Sequence, residues 1–438
     1  MHRPPYGRVW LGAHALVRLR PGALPSALGL VDLETLSAVW GVFRVRAPGL
    51  DGEALARHLA ANPAVAETMP DYHLPRRPSA IDIPPNDPRY GGQWYLDRLG
   101  IEEAWRLETG DPGVAVVIVD NGCELDHPDL RGAFAGGIDV VDGDDDASFL
   151  PESPGNEHGT ACAGIIGARA DNGEGIAGVC PGCSLHCVRM LAPRGMPVPI
   201  SADVRAFEYA RSVGAAVVSN SWGYVEAVSA PPMLAGIIEA LHDEGRDGRG
   251  TLVLFSAGND SRALGDEEIT GLRGVVTVGA VTLFDDAAPF SNFGASVDLT
   301  APTGTLTTDL SGADGENDSD YTSLFGGTSS SCPVAAGVAG LLFSAAPEAT
   351  AAEVGQVLRE TAEPAPFASP DADGHDPLYG YGIVDPVAAL RVITGAPPIH
   401  PEDAGRGFVD DGSGPGPLDA GPKGGNSGGR GCAVRARG

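Results

Sequence analysis

Val114-Ala115-Val116-Val117-Ile118-Val119 is an unbroken apolar run, mostly β-branched, that stops at Asp120-Asn121-Gly122. A half-buried strand alternates apolar with polar residues; this one does not. The run therefore predicts a strand buried on both faces, as in a parallel sheet covered by helices on each side. Ligands and chemistry in open α/β sheets gather at the carboxyl ends of strands. A carboxylate at that end is a candidate functional group, although Asp120 alone serves equally well as a cap for the following turn.

Two further stretches share a different pattern. Gly327-Thr328-Ser329-Ser330-Ser331-Cys332-Pro333 leads into Val334-Ala335-Ala336-Gly337-Val338-Ala339-Gly340-Leu341-Leu342. Small side chains let a helix pass close to a core. We read a helix that opens at the serine, with Pro333 in its first turn, where a missing N–H costs nothing. A serine there lies near free backbone N–H groups and the positive end of the helix dipole. Asn156-Glu157-His158-Gly159-Thr160-Ala161-Cys162-Ala163-Gly164 predicts a second small-residue helix, opened by a histidine. Each residue by itself has a structural reading: an N-cap serine, a core histidine.

Together they carry more. Acyl transfer needs a hydroxyl to attack, an imidazole to take its proton, and a carboxylate to fix the imidazole's tautomer and stabilise its charge. The order Asp, His, Ser is one of the known orders of that constellation. With the motifs VVIVDNG, HGTACAG and GTSSSCP, the chain resembles the subtilisin-like serine proteases, the subtilases, from about residue 85 to 394. The family's G-T-S pattern puts the nucleophile at Ser329, not Ser330 or Ser331. The resemblance implies an α/β fold with a mostly parallel central sheet and helices on both faces. A small α+β ferredoxin-like propeptide domain would precede it. Asn121, Ser330, Cys332 and Val334 depart from the family pattern, which puts efficiency and pocket shape in question but leaves the catalytic groups in place.

Further roles follow from the resemblance. Asn259, after Leu252-Val253-Leu254-Phe255-Ser256-Ala257-Gly258, would donate its side-chain N–H to the oxyanion, with the backbone N–H of Ser329 as second donor. Ser221-Trp222-Gly223 would pair with the substrate backbone as an added strand, and Gly258 would help form the pocket for the side chain before the cut. No pair of acidic residues stands where the basic-specific convertases of the family have theirs, so a broad or apolar preference is expected. Asp87, Asp129 and Asn172, with carbonyls of Arg169, Glu174 and Ile176, match a structural calcium site of relatives, and oxygen ligands suit that hard cation. The acidic loop Asp142-Gly143-Asp144-Asp145-Asp146 reads as a second ion site or as an ordinary surface loop.

Seven cysteines are too few for a disulfide-dense scaffold. Cys162 and Cys332 read as small buried apolar residues. A local disulfide is expected within Cys180, Cys183 and Cys187; zinc is the alternative, but no histidine spacing completes such a site.

Four regions are expected. Residues 1–75 form the propeptide-like domain, with strands at Ala15–Arg20, Val39–Val45 and Ala64–Met69 and a helix at Glu53–Leu59. Residues 76–86 form a proline-rich linker with the processing site, self-cleavage being expected between about 70 and 86. Residues 87–394 form the catalytic domain, with a helix at Pro347–Thr361 and a closing segment at Leu378–Asp385. Residues 395–438 form a Gly/Pro-rich tail too poor in apolar residues to fold alone. The net charge of −29 argues against nucleic acid. Residues 1–80 carry nine Arg against six acidic residues, so a basic module precedes an acidic one. No run reaches the ~18 apolar residues of a membrane span. No signal peptide is visible, yet an extracellular or cell-envelope setting is expected. The expected partners are protein or peptide substrates and the chain's own propeptide. The expected function is a self-processed serine endopeptidase. Its alternatives are a peptide ligase or cyclase on the same fold and a non-catalytic peptide-binding module.

Overall fold

The computed structural model describes residues 10–30, 32–37, 41–73, 81–151, 155–192, 196–315 and 319–395. Most of the expected 395–438 tail and part of the expected linker fall outside them.

The N-terminal module is an antiparallel sheet of β1 (Trp10–Leu19), β2 (Asp32–Ser37), β3 (Val42–Arg46) and β4 (Val65–His73) in the order β2-β3-β1-β4. That order is the ferredoxin-like one. The first crossover, where that plan has a helix, is a short 3₁₀ turn at Pro25–Leu28. The second is α1 (Gly52–Ala60), capped by Asp51, whose carboxylate accepts from Ala54 N at 2.7 Å. Leu55 and Leu59 of α1 are buried against Ala15, Val17, Phe43 and Val45. Each leucine so buried contributes about 1.5–3 kcal/mol.

Two short helices, α2 (Trp94–Arg98) and α3 (Ile101–Leu107), lead into the larger layer. Its sheet comprises β5 (Ala115–Asp120), β6 (Phe134–Asp139), β7 (Ser184–Arg189), β8 (Val217–Asn220), β9 (Leu252–Ser256), β10 (Val275–Val281) and β11 (Leu299–Pro302). The order is β11-β10-β9-β8-β5-β7-β6, and every pairing is parallel. The helices are α4 (His158–Gly167), α5 (Ile200–Ser212), α6 (Pro232–Gly248, broken near Gly245), α7 (Thr328–Ala345), α8 (Ala351–Glu360) and α9 (Pro386–Ile393). A two-stranded ribbon, β12 (Thr305–Thr308) and β13 (Tyr321–Phe325), packs beside α4.

β5 explains the apolar run. Val116 and Ile118 join one core with α3, α4, α7, α8 and α9, while Val117 and Val119 join a second core with α5 and α6. Alternate side chains of a strand face opposite ways, and here both ways are dry.

α7 runs through the first core. Gly337 and Gly340 are required there: a Cβ would stand 2.6 Å from Val179 Cβ at the former and 2.9 Å from Cys183 Sγ at the latter. α7 is long and apolar enough to cross a membrane, but 83% of it is buried inside the protein. It is a core helix by position. Cys180 and Cys183 form the expected local disulfide, and Cys187 remains a free, buried thiol with Cys123, Cys162 and Cys332. The helix expected over Pro347–Thr361 begins at Ala351, because Thr350 and Glu353 form a reciprocal capping box.

Candidate active site

Asp120 closes β5, is fully buried, and accepts the Asn121 N–H on Oδ1 at 2.8 Å. Both its oxygens face Nδ1 of His158, at 2.9 and 3.0 Å. His158 opens α4, which reaches Asp120 only because Gly159 has no side chain: a Cβ there would stand 2.2 Å from the Gly122 carbonyl. Asn121 adds a clasp, its Oδ1 accepting the Gly159 N–H at 3.0 Å. Burial works against protonating His158, but the Asp120 carboxylate and, next to it, the Cys162 side chain together more than offset it, so the imidazole pKa stands well above its usual value. The ring packs edge-on against Phe325, centroids 5.2 Å apart.

α7 opens at Thr328, after Gly327 at φ +76°, so Ser329 is its second residue. Pro333 lies past the first turn, not within it as the sequence suggested. A proline there removes the N–H that would bond the carbonyl four residues back. That carbonyl belongs to Ser329. Ser221 Oγ takes it at 3.0 Å and the Cys162 thiol at 3.7 Å. Burial pushes the Cys162 thiol pKa up, so it stays a neutral donor. The Ser329 hydroxyl donates to the Ser221 carbonyl at 3.3 Å.

Asn259 follows β9 through Gly258, at φ +96°. Its side-chain oxygen accepts the Thr328 N–H at 2.8 Å and the Thr328 hydroxyl at 3.0 Å. The oxygen end is thereby held, which leaves the nitrogen as the free end. Ser221, Trp222, Gly223, Gly258, Asn259 and Ser329 line a single cavity of about 330 Å³. Trp222 is only 9% exposed, its ring against Phe255 at 5.1 Å, so this segment offers its backbone more than its indole. Three charged groups in the same cavity, Asp260, Arg262 and Glu268, were not singled out from sequence. Asp260 directly follows Asn259, and that adjacency was the available signal.

The residues expected to hold calcium also converge. Asn172 Nδ2 donates to Asp129 Oδ1 at 3.0 Å, and Ile176 N to Asp129 Oδ2 at 2.8 Å. Asp87 accepts the N–H groups of Asp171 and Asn172 at 2.8 and 3.2 Å. Glu174 N donates to Asn172 Oδ1 and Arg169 N to the Asp129 carbonyl. The Arg169 guanidinium turns away to the carbonyls of Gly132, Pro181 and Cys183. Asp87 and Asp129 are buried, burial raises the pKa of both, and the charge of Asp129 raises that of Asp87 further. Two dry carboxylates that repel one another beside an amide and loop backbone fit a hard dication. The Asn172 amide turns its nitrogen toward Asp129, so holding a cation there requires a half-turn of that amide. In the acidic loop, Arg189 pairs with Asp139 and Asp142, so an arginine supplies the positive charge at that end of the loop.

A seven-stranded parallel sheet with helices on both faces, and an Asp–His pair at its carboxyl edge, defines a subtilisin-like α/β protein. Residues 111–382 match the family described as the Subtilase family, and the chain belongs to it. It is 30% identical to a "Calcium-dependent protease" of Nostoc sp. over 71% of this chain and 50% of that protein. It is 34% identical to "Thermitase" of Thermoactinomyces vulgaris, over 59% of this chain and 85% of that one. A solved protease from Pseudoalteromonas arctica superposes with a TM-score of 0.59 at 28% identity, covering 70% of this chain and 99% of that one. The chain spans about half the length of the first curated relatives it matches.

Proposed function

We propose that the protein is a serine endopeptidase whose nucleophile is Ser329, general base His158 and orienting carboxylate Asp120. The observation that carries this reading is the two-oxygen grip of Asp120 on His158 Nδ1. It fixes the proton on Nδ1 and leaves Nε2 to accept one. Ser329 leaves the Ser221 carbonyl, passes its proton to Nε2 and attacks the substrate carbonyl. The Asn259 Nδ2–H and the Ser329 N–H hold the oxyanion, and the imidazolium then protonates the departing amine. The substrate backbone pairs along Ser221-Trp222-Gly223, with Gly258 in the wall of the adjoining pocket.

The ferredoxin-like module of residues 1–75 acts as the propeptide in this reading, cut from the enzyme between about 70 and 86. Asp87, Asp129 and Asn172, with carbonyls of Arg169, Glu174 and Ile176, hold a structural calcium ion that ties three distant segments together. Relatives named as extracellular proteases support an extracellular setting. Labelling by a serine-directed phosphonate, lost in Ser329→Ala, together with digestion of an unfolded protein substrate, tests the reading. A wild-type enzyme that takes no label would leave a peptide-binding module instead.

A further inference from the structure

Four of the described cysteines are free thiols, and all four are fully buried. Cys162 and Cys332 donate to the carbonyls of Ser329 and Asn220, at 3.7 and 3.6 Å. Cys123 and Cys187 form a separate couple. Cys123 lies in the turn after β5, three residues past Asp120, and Cys187 lies on β7 beside Ile118 of β5. The Ala147 carbonyl accepts the Cys123 N–H at 3.1 Å and the Cys187 thiol at 3.5 Å. Both cysteines therefore meet at one point of the first core, which Ala147 shares. The Cys123 thiol has the Cys187 thiol as its hydrogen-bond partner. Two thiols in such contact meet the first condition for a disulfide, side chains that point at each other.

Burial, and then the Cys187 thiol, push the Cys123 pKa well above its ordinary value. The attacking species in thiol–disulfide exchange is the thiolate, and buried structural thiols are inert. The folded dithiol is therefore closed to oxidants in solution. A bond between the two has to form while β7 is still docking against β5, when one thiol can ionise in water. It would close a loop that contains α4 with His158 and the Cys180–Cys183 disulfide.

We propose that Cys123 and Cys187 are a modification site: folding in an oxidising setting joins them in a second disulfide that ties the turn beside Asp120 to β7, and folding in a reducing setting seals them as a dithiol. With glutathione disulfide as the oxidant, one thiolate attacks it, forms a mixed disulfide and releases one glutathione. The second cysteine then displaces the other glutathione. Two protein thiols are oxidised, one glutathione disulfide is reduced to two glutathiones, and both protons end on glutathione. The inference does not depend on the serine endopeptidase reading.

The test refolds the full-length Ser329→Ala chain from denaturant, once with glutathione disulfide and once with excess reductant. Ser329→Ala removes the proposed nucleophile, so the chain does not digest itself. After alkylation, peptide mapping by mass spectrometry should find Cys123 linked to Cys187 in the oxidising refold and both alkylated in the reducing one. The oxidised chain should melt roughly 5–10 °C above its Cys187→Val counterpart refolded the same way, and the two should melt together after the reducing refold. Glutathione disulfide added to the folded dithiol should leave both thiols unlinked. Alkylated Cys123 and Cys187 after the oxidising refold, or Cys123 linked to Cys162 instead, overturns the proposal. A folded dithiol that oxidises as fast as the unfolded chain overturns the sealing. If Cys187→Val does not fold, the peptide map of the parent chain still decides.

Discussion

Ser221 and Ser329 hold one another: the hydroxyl of each donates to the carbonyl of the other, at 3.0 and 3.3 Å. Pro333 creates the vacancy that Ser221 Oγ fills. Ser221→Ala leaves the Ser329 carbonyl to the weaker Cys162 thiol. A net hydrogen bond is worth about 1 kcal/mol, so kcat should fall roughly fivefold, with KM little changed. Steady-state kinetics on one peptide checks this; an unaltered kcat would mean the contact does not position the nucleophile.

The pH profile follows from His158. Its pKa is raised from 6.5 in the folded protein, against the pull of burial, by Asp120 and, next to it, Cys162. The base of the proposed mechanism must be neutral to work, so on that reading activity is lost as pH falls through that raised value. The acid limb of kcat/KM should lie above pH 6.5. Stability runs the other way: the protonated pair contributes fully below 6.5 and its share fades as pH rises through the folded pKa. In Asp120→Asn the limb should drop and kcat should fall on the order of 10⁴-fold.

Thr328 grips the oxygen of Asn259 through both its N–H and its hydroxyl. Thr328→Val keeps the first bond and loses the second. The freed amide should cost kcat several-fold, whereas Asn259→Ala should cost about 10²–10³-fold. If the two variants proved equally impaired, the hydroxyl would be doing more than orientation.

Gly159→Ala forces a Cβ to within 2.2 Å of the Gly122 carbonyl. Overpacking of this kind costs about 1–3 kcal/mol, and the displacement falls on the helix that carries His158. Both the melting temperature and kcat should drop, whereas Gly236→Ala, with open space around its site, should leave both near wild type.

Chelation should lower the melting temperature, and calcium should restore it in a concentration-dependent way, by about 2.7 kcal/mol at a hundredfold excess over Kd. Asp129→Asn should abolish the dependence. Equal melting curves in chelator and in calcium would remove the ion from the proposal.

The parts of the molecule that were legible in the sequence are those where geometry narrows the choice of residue. Dry faces on both sides leave β5 an unbroken apolar run, and close packing leaves α4 and α7 with Gly, Ala, Ser and Cys. β2 was missed because it is an edge strand with most of its residues exposed, so no alternation shows. The β12–β13 ribbon was missed because its burial is polar: Thr307 and Thr308 donate to carbonyls of α4, each at 2.7 Å.

The strand order also has a consequence for how the molecule is made. β5 hydrogen-bonds on one side to β7 and on the other to β8, both of which follow it in the chain. At ~5–20 residues per second, Asp120 waits several seconds on the ribosome before either neighbour emerges, and longer still for Ser329. Non-local parallel pairing of this kind closes slowly, so the emerging polypeptide passes through synthesis with Asp120 and Ser329 still apart.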